Sequence, residues 1–227
     1  MSRYDLLLCD ADMTLLDFER AEEAAFYEAC RAKGLAVGET ERRRYGELNA
    51  ACWKLFEQGK LTQPQLRVKR FADFLGELGS GTDPAQLSRT YETALSHQGF
   101  ALPGAREALT RWKRRIRVLI VTNGIAAVQH GRFAASPFPE LAEDLVISEE
   151  VGSAKPAPEI LWEAMRRAGA ADRSRVLMLG DSLSSDIAAA YHAGVDACWF
   201  NPKHKKNETG LPIRWEVASL DEVDALL

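Results

Sequence analysis

The chain is poor in the features that would mark a metal ribbon, a secreted scaffold or a nucleic-acid binder. Its four cysteines, Cys9, Cys30, Cys52 and Cys198, are widely spaced and form no CxxC pair, which argues against a zinc ribbon or a disulfide framework. No apolar stretch approaches the length of a membrane span, and near the N-terminus only a short apolar run stands before two acids, Asp10 and Asp12. Neither a span nor a signal peptide is expected, and the protein reads as cytoplasmic, with no membrane partner. Positive charge is not in excess: 29 Lys and Arg stand against 33 Asp and Glu, a formal net charge of -4, which disfavours a nucleic acid polymer as partner. Internal repeats and low-complexity tracts are missing too. The one glycine-rich stretch, Gly76-Glu-Leu-Gly79-Ser-Gly81, lies between two helical patterns instead of behind a strand, where a phosphate loop would have to be.

What is present is an ordinary globular composition, 46% hydrophobic and 27% charged over 227 residues, enough for one full core, or for a core of about 100 to 150 residues with a smaller accessory domain. Five short runs are almost continuously apolar: Tyr4–Cys9, Arg117–Thr122, Leu145–Ser148, Arg175–Gly180 and Val195–Phe200. Continuous hydrophobicity, as opposed to alternation, belongs to strands buried on both faces, and helical patterns separate the later runs. The expected fold class is α/β, a doubly wound parallel sheet.

Between the first two runs the sequence predicts helices and almost no strand. One spans Glu19 to Lys33 and stops at Gly34. A second runs from Thr40 to Gln58, and a third, to Leu78, opens on a Thr62–Gln65 capping box. The fourth, to His97, follows Asp83 as cap and Pro84 in its first turn. This all-helical insertion, residues 16–99, divides a core made of residues 1–15 and 100–227.

Ligands of open parallel sheets bind outside the carboxyl ends of the strands. The residues just past three runs are chemically related: Asp10-Ala-Asp12-Met-Thr14, Thr122-Asn123-Gly124 and Gly180-Asp181-Ser182. A single acid there is an ordinary cap, but Asp10, Asp12, Asp181 and Asp186 gathered at one edge repel one another unless protons or a cation intervene. All-oxygen donors select a hard ion, and Mg²⁺ is the expected cofactor. A phosphate ester suits the remaining groups: the Thr122 hydroxyl, the backbone N–H groups of Asn123 and Gly124 ahead of a helix, and the ammonium of Lys155, placed by a helix whose first turn holds Pro156.

These residues together resemble the haloacid dehalogenase superfamily of phosphohydrolases, whose four signatures are matched in order by Asp10, Asp12 and Thr14, by Thr122, by Lys155, and by Gly180-Asp181 with Asp186. The resemblance implies a Rossmann-like core with an inserted helical cap domain. More narrowly, Asn49 with Trp53, Arg70-Phe71, Ile147 to Pro156 and Asp172 to Met178 are similar to the bacterial pyrimidine 5′-nucleotidases of that superfamily. By this resemblance Asp10 is the nucleophile of a magnesium-dependent phosphatase and Asp12 its acid and base. Asp10, the Asp12 carbonyl and Asp181 would hold the metal, Thr122, Asn123 and Lys155 the phosphate, and Asp186 would orient Lys155 or metal-bound water. Most members carry glycine where this chain has Met13. In the cap, Tyr45, Asn49, Trp53 and Phe56 share a helix face. Such stripes are usually core, but an amide on an apolar face needs a partner, which makes Asn49, with Trp53, the candidate for contact with a nucleoside.

Other readings compete. Sugar-phosphate hydrolysis is the nearest. Dehalogenation would need neither Asp12 nor magnesium, because a halide leaves unprotonated. The Gly180-Asp181-Ser182-Leu183 run also fits a serine esterase, yet no Asp-x-x-His follows to supply the base. A non-catalytic binding domain would be expected to have lost a reacting group.

Overall fold

In a computed structural model, which describes residues 3–227, all five apolar runs form strands: β1 (Leu6–Cys9), β2 (Arg117–Thr122), β3 (Asp144–Ile147), β4 (Val176–Gly180) and β5 (Asp196–Phe200). A sixth, β6 (Trp215–Val217), was not legible as one. Three residues, of which only Val217 is buried, are too few to set a period. The sheet runs β3-β2-β1-β4-β5-β6, and every pairing is parallel. β1 is therefore central, with Leu8 opposite Leu119 on one side and Met178 on the other.

Alternate residues feed two separate cores, which is why the strands read as unbroken apolar runs. Leu7, Cys9, Val118, Ile120, Leu177 and Leu179 pack on one face with Ala108, Leu109 and Trp112. Leu6, Leu8, Leu119, Val121, Val176 and Met178 pack on the other with Ile160, Leu161 and Ala190. Cys9 thus points into the core away from its neighbour Asp10, and burial pushes its thiol well above the ordinary range. Among the described residues no helix is long and apolar enough to cross a membrane.

The chain divides into two compact units, Met1–Phe18 with Gly99–Leu227, and Glu19–Gln98. The second holds four helices, α1 (Phe18–Ala32, entering from the first unit), α2 (Glu39–Glu57), α3 (Gln63–Leu78) and α4 (Pro84–Ser96). Thr62 and Gln65 cap α3 reciprocally, Asp83 caps α4 through the Ala85 N–H, and Gly79 at φ 66° closes α3 in the left-handed region where glycine is favoured. Its interior is aromatic, with the Tyr45 ring stacked between Phe26 and Phe71.

The first unit adds α5 (Ala105–Trp112), α6 (Ala126–Ala135), α7 (Ser148–Val151), α8 (Glu159–Arg167) and α9 (Ala188–Ala193). One expectation fails here. Pro156 does not open a helix: the Lys155–Pro156 peptide is cis, and α8 starts at Glu159 behind Pro158. The chain before it is pinned by the Asn123 side chain, which bonds both the N–H and the carbonyl of Lys155, so the helix forms only beyond that anchor.

Candidate active site

Adjacent parallel strands deliver their C-terminal residues side by side. The Asp10 N–H donates to the Leu179 carbonyl at 2.8 Å, which sets Asp10 beside the end of β4. Asp10, Asp181 and Asp186 each bring one carboxylate oxygen into a group whose members all lie within 4.8 Å of one another. Asp186 reaches the group because a π-helical turn, Leu183–Ile187, follows β4, and because Gly180 has no side chain: a Cβ there would stand 2.3 Å from the Asp186 carboxyl carbon. The Ser182 N–H then donates to Asp186 Oδ2 at 3.0 Å.

Lys155, 1% exposed, supplies the cation. Its Nζ donates to Asp10 Oδ1 at 2.6 Å and to the Val121 carbonyl at 2.8 Å, and lies 2.7 Å from Asp186 Oδ1. Burial disfavours the charged ammonium, but Asp10 and Asp186 outweigh it and hold Lys155 above its ordinary value. Three carboxylates around one ammonium leave negative charge unanswered. Burial first, and Asp186 second, raise Asp10 well above the usual carboxylate range despite Lys155, and the same two causes raise Asp181 to about 7. A buried cluster with more negative than positive charge, offering only oxygen donors, fits a hard divalent cation.

Asp12 is held by residues that no sequence signal singled out. Arg132 donates from Nη1 to Asp12 Oδ1, and Gln129 donates from Nε2 to Asp12 Oδ2 at 3.1 Å and to Thr122 Oγ1 at 2.6 Å. Gly124 makes room for this glutamine, since a Cβ there would stand 2.1 Å from Gln129 Cγ. Met13, next to Asp12, takes φ 63°, in the left-handed region that favours glycine. Thr14, in the same turn, is buried.

Thr122 and Lys155 thus lie at the sheet edge with the acids, while the Asn123 amide is occupied in clasping the Lys155 backbone. Ser182 accepts the Ser185 N–H at 3.2 Å and acts as the cap of the π-helical turn. The rings of His130 and His192 bond elsewhere, to Glu150 and to the Pro156 carbonyl. In the helical unit Asn49, 2% exposed, donates to Glu22 at 2.6 Å and accepts from Arg70 at 3.1 Å, whereas Trp53 is half-buried with its ring edge-on to Phe56.

The sequence matches the haloacid dehalogenase-like hydrolase family over residues 4–194. It is 33% identical over 221 residues to the pyrimidine 5′-nucleotidase PynA of Streptococcus pneumoniae, covering 97% of this chain and 93% of that protein. Identity to the pyrimidine 5′-nucleotidase YjjG of Escherichia coli is 32% over 225 residues, 99% of this chain and 98% of that one. Among solved structures, the HAD-hydrolase YfnB of Bacillus subtilis, bound to magnesium, matches at a TM-score of 0.93 and 30% identity, with 99% of each chain covered.

Proposed function

Because this chain belongs to the haloacid dehalogenase-like hydrolase family, we propose that it hydrolyses small phosphate monoesters, pyrimidine nucleoside 5′-monophosphates foremost, through an aspartyl phosphate on Asp10. The observation that carries the reading is the contact of Lys155 Nζ with Asp10 Oδ1 at 2.6 Å inside the carboxylate group. It turns one oxygen of Asp10 toward positive charge and leaves the other for phosphorus. The substrate class rests on the two relatives named as pyrimidine 5′-nucleotidases.

Asp10 attacks phosphorus, and its new P–O bond forms as the bond to the ester oxygen breaks. A nucleoside alkoxide is a poor leaving group, so Asp12 gives it a proton as it departs. Asp12, now a carboxylate, takes a proton from water, which attacks phosphorus, breaks the bond to Asp10 and releases inorganic phosphate. Lys155 offsets the repulsion between the Asp10 carboxylate and the phosphate dianion, and Asp186 holds Lys155 in place. The Thr122 hydroxyl and the backbone at Asn123 bind phosphoryl oxygens. Mg²⁺, held by the Asp10 and Asp181 carboxylates and the Asp12 carbonyl, would supply further positive charge to the phosphoryl group.

Selectivity beyond the phosphate is assigned to the helical unit; Asn49, buried with its amide held by Glu22 and Arg70, is taken up inside that unit, which leaves half-buried Trp53 as the candidate for nucleoside contact. The test is phosphate release from a panel of nucleoside monophosphates and sugar phosphates, with and without Mg²⁺. Magnesium-dependent release, fastest from pyrimidine nucleotides, is expected. A preference for sugar phosphates would move the substrate class, and no release from any ester would overturn the reading.

A further inference from the structure

Helix α6 places two polar side chains, Gln129 and Arg132, on one face at i, i+3 spacing, and both are buried instead of solvated. Arg132 is 0% exposed, and its guanidinium lies 5.4 Å from the centre of the Phe18 ring. Taking a guanidinium out of water is costly unless a carboxylate and hydrogen bonds answer it. Here the carboxylate is Asp12.

The polarity of the Gln129 amide is forced by its neighbours. Its oxygen accepts from Arg132 Nη1 at 3.1 Å, and its nitrogen donates to Asp12 Oδ2 and Thr122 Oγ1. Flipping the amide would set oxygen against a carboxylate and N–H against a guanidinium. Since Thr122 Oγ1 accepts from Gln129, its own proton remains available for a phosphoryl oxygen. Both oxygens of Asp12 are gripped, yet each keeps a second lone pair, so a proton on either is compatible with the two contacts.

We propose that Gln129 and Arg132 are positioning residues for the proton-transfer step: together they fix the Asp12 carboxyl group in a single orientation, and Gln129 ties that orientation to the phosphate-binding hydroxyl of Thr122. The inference rests on the phosphatase reading and adds to it a dependence on the leaving group. An Asp12 that has lost its brace transfers a proton poorly, which matters for an ester whose alkoxide must be protonated and little for one whose phenolate departs unaided.

The experiment compares kcat/KM for uridine 5′-monophosphate and 4-nitrophenyl phosphate in the wild type and in Arg132→Met, Arg132→Lys and Gln129→Leu. This parameter ends at phosphoryl transfer and so excludes hydrolysis of the aspartyl phosphate. Arg132→Met is expected to lose about 10- to 100-fold on the nucleotide and less than about 3-fold on the aryl ester. Arg132→Lys should recover part of the nucleotide activity. Gln129→Leu should weaken both substrates, the nucleotide more, because Thr122 also loses its partner. Thermal unfolding of each variant checks folding, and Arg132→Lys carries the same comparison should Arg132→Met not fold. Equal losses on the two esters, or no loss on either, would overturn the inference while leaving the phosphatase reading intact. A wild type inactive on both esters would sink that reading and this inference with it.

Discussion

Lys155 Nζ donates to Asp10 Oδ1 at 2.6 Å across a sequence separation of 145 residues, and the same ammonium lies 2.7 Å from Asp186 Oδ1. This one cation holds two buried carboxylates that would otherwise repel each other. Replacing it with an apolar side chain of similar length removes the shared partner, an effect of about 3 to 5 kcal/mol when the charges stay buried. Lys155→Met should therefore be much less stable in denaturant unfolding at pH 8 and closer to wild type at pH 5, where the acids can take up protons. A pH-independent loss would show that Lys155 serves packing alone.

Magnesium binding should depend on pH in a defined direction. Asp10 and Asp181 are raised in the folded protein, Asp181 to about 7, chiefly by burial and then by Asp186. A raised carboxyl group keeps its proton in the folded state over a range where the unfolded chain has released it. In metal-free protein the contribution of these two groups is fully present below the ordinary carboxylate range, and that of Asp181 is lost as pH rises through about 7. A cation must displace the proton, so Mg²⁺ affinity measured by calorimetry should rise with pH through about 7, where Asp181 gives up its proton. Affinity that is flat from pH 5 to 8 would contradict this.

Much of this arrangement was legible from local pattern. β1, β2 and β4 are buried on both faces, so their unbroken apolar runs located the sheet, and the acids beyond β1 and β4 located its edge. Thr62, Gln65 and Asp83 announced two helices because capping is a local interaction. Gln129 and Arg132 gave no such signal. Two polar residues at helical spacing look like a solvent face, and only the tertiary placement of α6 against Asp12 turns them inward. Asn49 was flagged as an amide in need of a partner, but Glu22 and Arg70 come from other helices, which spacing along α2 does not reveal.

Gly180→Ala should injure the site more than its size suggests. The added methyl would stand 2.3 Å from the Asp186 carboxyl carbon, displacing the acid that holds Lys155. Overpacking of this kind costs about 1 to 3 kcal/mol. Loss of phosphate release together with a lowered unfolding temperature is expected, and an active, fully stable variant would show that Asp186 can move freely.

Met13 tests the backbone beside Asp12. At φ 63° a side chain is strained by roughly 1 to 2 kcal/mol, and a β-branched one more so. Met13→Gly should retain stability to within about 1 kcal/mol, because relief of strain offsets the greater freedom of the unfolded chain. Met13→Val should unfold at a clearly lower temperature. The reverse order would mean that this residue leaves the left-handed region in solution.

The central claim is that Asp10 itself becomes phosphorylated. Its most direct test is to mix enzyme, Mg²⁺ and a nucleoside 5′-monophosphate, quench in acid within the first turnover, and map the peptides by mass spectrometry. The account expects one added phosphoryl group on the peptide that carries Asp10, and none in Asp10→Asn, which should also release no phosphate. Undiminished phosphate release by Asp10→Asn, or a phosphoryl group found on another residue, would contradict it.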